Sequence, residues 1–182
     1  MDLCGKFKNI KLLLSDVDGV MNDGRVYYLP TAEGVSVAKF FNVRDGLGIR
    51  LFQLAGFEFG VITGRNDIVV QKRCQDLSCR YYALGVKDKR KKVLEIMEKA
   101  RLRHDEVAYI GDDWNDAPVF KEVGLSLTVA DAPEEIKALV DYVVPLRGGE
   151  GVIRHAVEKI LKCKGLFEEA VERFLEHLKG NN

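Results

Sequence analysis

The sequence predicts an α/β fold, a Rossmann-like doubly wound parallel sheet with helices on both faces, and two observations carry that prediction. Short apolar runs alternate with amphipathic, helix-like stretches along most of the chain, which is the pattern of parallel strands joined by right-handed crossovers. Three of the runs are followed at once by acids, glycine or a hydroxyl, in the place where open parallel sheets bind their ligands. With 182 residues and 47% hydrophobic content, the chain is long enough for one substantial core and short for two. A single domain over 1–182 is therefore expected.

The first strand is predicted at 10–15, where Ile10, Leu12, Leu13 and Leu14 precede Asp16-Val17-Asp18-Gly19-Val20. Segment 24–43 interrupts the alternation. There Val26, Tyr27, Tyr28 and then Val35, Val37, Phe40, Phe41 flank Leu29-Pro30-Thr31-Ala32-Glu33-Gly34, which reads as a β-hairpin inserted after strand 1, too short to be a lid domain. A helix near 45–55 leads to a strand at 58–62, a helix at 67–77 to a strand at 80–82, and a helix at 88–101 to a strand at 107–110. Helix 115–122, strand 125–129, helix 133–139 and strand 142–144 complete the alternation. The tail, 151–182, reads as helical segments at 151–162 and 166–179. Leu166, Phe167, Ala170, Val171, Phe174, Leu175 and Leu178 fall on one face of the second, suited to packing on its own domain or, past the Gly148-Gly149-Glu150-Gly151 hinge, to docking on a neighbouring subunit.

Charge and composition exclude several function classes. Lys+Arg 28 balances Asp+Glu 28, so no global basic field draws the chain to nucleic acid or to an anionic membrane surface. The apolar runs fall far short of the roughly 20 residues that span a bilayer. Cys4, Cys74, Cys79 and Cys163 form no CxxC pair, and the N-terminus lacks the basic-then-apolar pattern of a secretory signal. A reduced, cytoplasmic protein is expected. His104, His155 and His177 show no ligand-like spacing.

Strand 1 delivers Asp16 and Asp18, the strand at 58–62 delivers Thr63-Gly64-Arg65, and the strand at 107–110 delivers Gly111-Asp112-Asp113-Trp114-Asn115-Asp116. Gly85-Val86-Lys87-Asp88-Lys89 lies between the last two, at a helix start. Each has a plainer explanation: an Asp-Gly turn, a capping threonine, first-turn acids favoured by a helix dipole, a solvated lysine run. Four independent plain explanations in this order are improbable together. Asp16 and Asp18, one residue apart on an extended segment, should project to the same side and crowd each other unless a cation or a shared proton offsets the repulsion.

Phosphoryl transfer to a carboxylate needs this set. Two carboxylates from different strands and a backbone carbonyl suit hard Mg²⁺, with Mn²⁺ or Co²⁺ as alternatives, while Thr63 and Lys89 would offset phosphate charge. Asp16 would be the nucleophile and Asp18 the acid that protonates the leaving alkoxide and then deprotonates water.

With these residues in place the chain resembles the phosphohydrolases of the haloacid dehalogenase (HAD) superfamily. Their four motifs match Asp16-Val17-Asp18-Gly19, Thr63, Lys89 and Gly111 to Asp116 in order and spacing. The resemblance implies that Asp16, the backbone carbonyl of Asp18, and Asp112 hold Mg²⁺. It also implies that Asp113, Asn115 and Asp116 support the ligands. It extends, from about 8 to 162, to the nearly capless group of 3-deoxy-D-manno-octulosonate 8-phosphate (KDO 8-phosphate) phosphatases, through Asp23-Gly24, Asp45-Gly46-Leu47-Gly48-Ile49, Thr63-Gly64-Arg65, the Gly85 to Lys89 segment and Arg147-Gly148-Gly149-Glu150-Gly151. That group implies a role in lipopolysaccharide precursor biosynthesis, and a homotetramer in which the hairpins pack together and a neighbour's C-terminal segment helps close the site. Related phosphatases of nine-carbon, sialic-type sugar acids often carry an acid where this chain has Arg65; an arginine can pair with a substrate carboxylate, and Arg73, two helical turns on, could point the same way. A non-catalytic module that keeps the fold for binding is the reading from another class. A phosphomutase fits less well, because little lid is present to shelter a reorienting substrate.

Overall fold

In the computed structural model, which describes residues 2–180, six parallel strands form one sheet in the order β5-β4-β1-β6-β7-β8. They are β1 (Leu12–Ser15), β4 (Glu58–Ile62), β5 (Tyr81–Ala83), β6 (Val107–Ile110), β7 (Leu125–Thr128) and β8 (Tyr142–Val143). All four residues of β1 are buried, as a central strand covered on both faces requires. Leu12 pairs with Glu58 on one side and Val107 on the other, and Ser15 with Val61 and Ile110. The chain first builds outward from β1 through β4 and β5, then crosses back to lay β6, β7 and β8 on the other side. Strand order therefore reverses beside β1, and a crevice opens at the carboxyl ends of β1 and β6.

The helices are α1 (Leu3–Asn9), α2 (Val43–Leu54), α3 (Ile68–Asp76), α4 (Lys89–Ala100), α5 (Ala117–Phe120), α6 (Glu134–Lys137), α7 (Val152–Lys164) and α8 (Phe167–Gly180). Helix α2 packs on α7, which also receives α1 and α8. The hairpin forms a separate antiparallel ribbon of β2 (Tyr27–Thr31) and β3 (Gly34–Ala38), with Tyr27 opposite Ala38.

Several expectations are revised. Helix α1 precedes strand 1, capped by Asp2, whose side chain accepts from the Gly5 N–H at 2.6 Å. Because Ile10 is the C-cap of that helix, β1 starts at Leu12 rather than residue 10. Helices α5 and α6 are single turns, shorter than 115–122 and 133–139. The Asp116 side chain does not cap α5; it is drawn inward, and the helix begins only after it. Cys4 and Cys163 form a disulfide that ties α1 to α7 with 5.7 Å between their Cα atoms, so the expectation of four reduced cysteines is corrected. A pairing across 159 positions leaves no trace in local spacing. Cys74 and Cys79 are buried and free.

Helix α8 packs on its own domain through Ala170, Phe167, Val171 and Phe174, while Leu175 and Leu178 stay exposed. Residues 181–182 of the predicted tail, like Met1 of the predicted domain, lie outside the described residues. On the hairpin, Tyr27 meets Phe40 edge-on and Phe41 reaches the core, yet Tyr28, Val35 and Phe40 remain 70%, 70% and 64% exposed within the chain. No helix among the described residues is long and apolar enough to cross a membrane.

Candidate active site

The crevice at the strand ends holds a cavity of about 530 Å³ lined by Asp16, Asp18, Thr63, Gly64, Arg65, Asp112, Asp113 and Asn115, together with Gly24 and Trp114. The three predicted clusters thus converge on one space. Lys89, first residue of α4, reaches their floor. Its Nζ lies 2.8 Å from Asp16 Oδ2 and 2.7 Å from Asp116 Oδ1, and its side chain is 2% exposed. Burial opposes the lysine's charge, but Asp16 and Asp116 outweigh it and hold the ammonium above its ordinary pKa.

Asp116 organises this floor. Oδ1 accepts from Lys89 and, at 2.5 Å, from the buried Tyr109 hydroxyl; Oδ2 accepts the N–H groups of Asp112 and Asp113 at 3.1 and 3.4 Å. Four donors occupy both carboxylate oxygens, so Asp116 positions the β6 loop, while Asp16 and Asp112 are left as the carboxylate donors for a cation. A ligand oxygen from each of Asp16, Asp112 and Asp116 falls within 4.8 Å of the others. Burial, reinforced by Asp116 and opposed by Lys89, raises the Asp16 carboxyl to about 6; burial, then Asp16 and Asp116, raises Asp112 to about 8. An oxygen-only donor set whose acids repel one another this strongly fits a hard divalent cation. Gly19 makes the approach possible: its φ is +88°, and a Cβ there would lie 2.0 Å from Asp112 Oδ2. Gly148 likewise lets the 147–151 loop press on this turn, since its Cβ would lie 2.1 Å from the Gly19 carbonyl oxygen.

Asp18 is held differently from the expectation. The strand ends at Ser15 and the chain turns, with the N–H groups of Val20, Met21 and Asn22 all donating to the Val17 carbonyl. Asp18 therefore lies past the strand, on the wall of the cavity that Asp16 and Asp112 also line. The acid that raises Asp16 is Asp116, and those that raise Asp112 are Asp16, Asp116 and Asp113; Asp18 is met by cations of its own, so the expectation that it and Asp16 share one offsetting cation is revised. Asp18 instead accepts from Asn22 Nδ2 at 2.8 Å and from Lys39 Nζ at 2.5 and 2.7 Å, with Arg65 Nε 3.4 Å away. Thr63 is buried and accepts from the Arg65 N–H at 3.3 Å, whereas Asp67 caps α3. Asp113 accepts from the Trp114 N–H.

Sequence reasoning missed Lys39, Asn22 and Tyr109. Lys39 sits among exposed hairpin residues, and no spacing connects it to Asp18; Asn22, four residues after Asp18, is the one with a local signal. Arg73 does not join the others within one chain. It lies over the Phe41 ring and 3.4 Å from the Asn42 carbonyl, because α3 turns it toward the hairpin's return leg.

The raised acids have a measurable consequence for the protein without metal. Unfolding returns both carboxyls to near 3.9, so between about pH 4 and 8 the native state holds more protons than the unfolded one, and stability falls as pH rises through that window. In EDTA, the melting temperature should decline from pH 5 to pH 8.5 by several degrees, and Asp112→Asn should flatten that decline. An equal slope in the variant would refute the assignment.

A doubly wound sheet that brings an aspartate pair, a threonine, a lysine and an acidic loop to the ends of β1, β4 and β6 defines a phosphohydrolase of the HAD class. A family model described as haloacid dehalogenase-like hydrolase matches residues 85–155. Over 177 residues the chain is 37% identical to the 3-deoxy-D-manno-octulosonate 8-phosphate phosphatase KdsC of Haemophilus influenzae, covering 96% of each. A cobalt-bound structure of the Haemophilus influenzae phosphatase superposes with a TM-score of 0.86 at 37% identity, over 93% of this chain and 99% of that one. The Moraxella catarrhalis phosphatase, solved with a magnesium ion, a phosphate ion and KDO, gives 0.88 at 33% identity over 94% and 97%. The chain belongs to the KDO 8-phosphate phosphatase family of HAD-like hydrolases.

Proposed function

We propose that this protein hydrolyses KDO 8-phosphate to KDO and inorganic phosphate with Mg²⁺, through a phosphorylated Asp16. The observation that carries the reading is the buried Asp16–Lys89 pair opening into the cavity that also holds Asp18, Thr63 and Arg65. Asp16, Asp112 and the Asp18 carbonyl would hold Mg²⁺, which neutralises phosphoryl charge when bound; Co²⁺ and Mn²⁺ suit the same oxygens.

In the first step an Asp16 carboxylate oxygen bonds to phosphorus as the bond to the ester oxygen breaks, and Asp18 gives that oxygen its proton. Lys89, the Thr63 hydroxyl and the backbone at Gly64 offset the charge on the phosphoryl oxygens. In the second step water attacks phosphorus, Asp18 takes the water's proton, and Asp16 is restored as phosphate leaves. Asp113 and Asn115, at the cavity mouth, are assigned to supporting bound water.

Arg65, 56% exposed in the cavity wall, is assigned to the substrate's carboxylate. Arg65→Ala should therefore raise KM for KDO 8-phosphate about 10- to 100-fold, the range of one charge-assisted contact, while p-nitrophenyl phosphate loses little. Phosphate release from eight-carbon and nine-carbon sugar-acid phosphates, with and without Mg²⁺, tests the whole reading. Preference for the nine-carbon ester would replace the substrate, and no release from any ester would leave a binding module. The exposed Tyr28, Val35 and Phe40 favour a homotetramer assembled through the hairpins, with the chain acting as one domain in the cytoplasm during lipopolysaccharide precursor synthesis.

A further inference from the structure

Lys39 is the residue the mechanism above does not use. It follows the last residue of β3, and its hairpin neighbours Val37 and Phe40 are exposed, yet its own side chain is only 3% exposed. The ammonium bridges both Asp18 oxygens, at 2.5 and 2.7 Å, and stands 3.6 Å from Asp67 Oδ2 at the N-cap of α3. Its three N–H groups thus have three carboxylate oxygens to meet. Burying so long and flexible a cation takes side-chain entropy, and the partner it meets is the acid assigned to proton transfer. Asn22 and Arg65 reach the same carboxylate from two other segments, but Lys39 alone of these contacts both oxygens within hydrogen-bond distance.

We propose that Lys39 is a positioning residue for catalysis: by clamping both oxygens of Asp18 it fixes the carboxyl in the orientation that delivers its proton to the departing ester oxygen. The hairpin thereby carries part of the acid/base apparatus. The proposal rests on the phosphatase reading and on Asp18 as its acid.

Leaving-group dependence separates this role from a structural one. An alkoxide needs a proton as it departs, whereas p-nitrophenolate leaves readily without one, so loss of a positioned acid falls on the alkyl ester. In the full-length protein with Mg²⁺, Lys39→Met should lower kcat for KDO 8-phosphate about 100-fold, within the range of a general acid, but for p-nitrophenyl phosphate by less than about fivefold. KM should change little for either. Lys39→Gln should show the same selectivity should the Met variant prove insoluble, and Lys39→Arg should recover most of the alkyl-ester rate. Asp18→Asn sets the reference pattern. Equal losses on both esters, a rise confined to KM, or no loss on either would overturn the proposal. Inactivity of the unsubstituted protein toward both esters would instead overturn the phosphatase reading beneath it.

Discussion

Asp16→Asn should reduce phosphate release by about four orders of magnitude or more, the scale seen when a nucleophile is removed from a catalytic set, and leave the melting temperature within a few degrees of the unsubstituted protein. The two halves of this expectation share a cause. Asp16 is 5% exposed, and burial together with Asp116 already works against its charge; the amide has nearly the same shape, and its carbonyl oxygen can still accept from Lys89. An amide oxygen is a far weaker nucleophile toward phosphorus than a carboxylate, so the chemistry is lost while the packing is kept. Phosphate release and a thermal melt on the same preparation decide it. Turnover within tenfold of the unsubstituted enzyme would remove Asp16 from its assigned role.

Lys89→Met should damage both chemistry and stability. Among the described residues its ammonium is the one cation that touches Asp16 and Asp116, at 2.8 and 2.7 Å, and removing one member of a buried ion pair typically costs about 3–5 kcal/mol. For a domain of this size that corresponds to a melting temperature lower by about 10 °C. The kcat should fall about 100- to 1,000-fold, as when a fixed donor to a developing oxyanion is deleted. Mg²⁺ should restore more stability to this variant than to the unsubstituted protein, because it offsets the same acid cluster, but should not restore kcat. A variant that melts normally and turns over within tenfold would show that Lys89 is dispensable to both.

Much of this site was legible because its residues follow strands. Asp16, Thr63 and Asp112 each come just after a buried apolar run, and a parallel sheet with a reversal beside its first strand necessarily gathers such positions. Lys89 could be found because it opens a helix. What eluded the sequence depended on contacts between distant segments. Lys39 reads as one more exposed hairpin cation until the fold lays the hairpin's root over Asp18, and Arg73 reads as a site residue until α3 turns it toward Phe41. The partners of Asp18 were not legible because alternation of side chains holds only while the strand lasts, and β1 ends before it. Helix α1 escaped for a different reason: at seven residues it is too short to show a period, and its stability comes from packing against α7.

The Cys4–Cys163 bridge turns a linear polymer into a covalent ring with a short tail. Every residue of the proposed chemistry, the hairpin and the entire sheet lie inside the ring, and α8 lies outside it. Closing a loop with a sequence separation of 159 removes unfolded-state freedom worth on the order of 5 kcal/mol in the chain-entropy account. It also changes what a break in the backbone means. One peptide bond cut in the exposed hairpin tip leaves both pieces still joined to each other, with the catalytic aspartate on one and its lysine on the other, so the assembled site outlasts the continuity of the chain that made it.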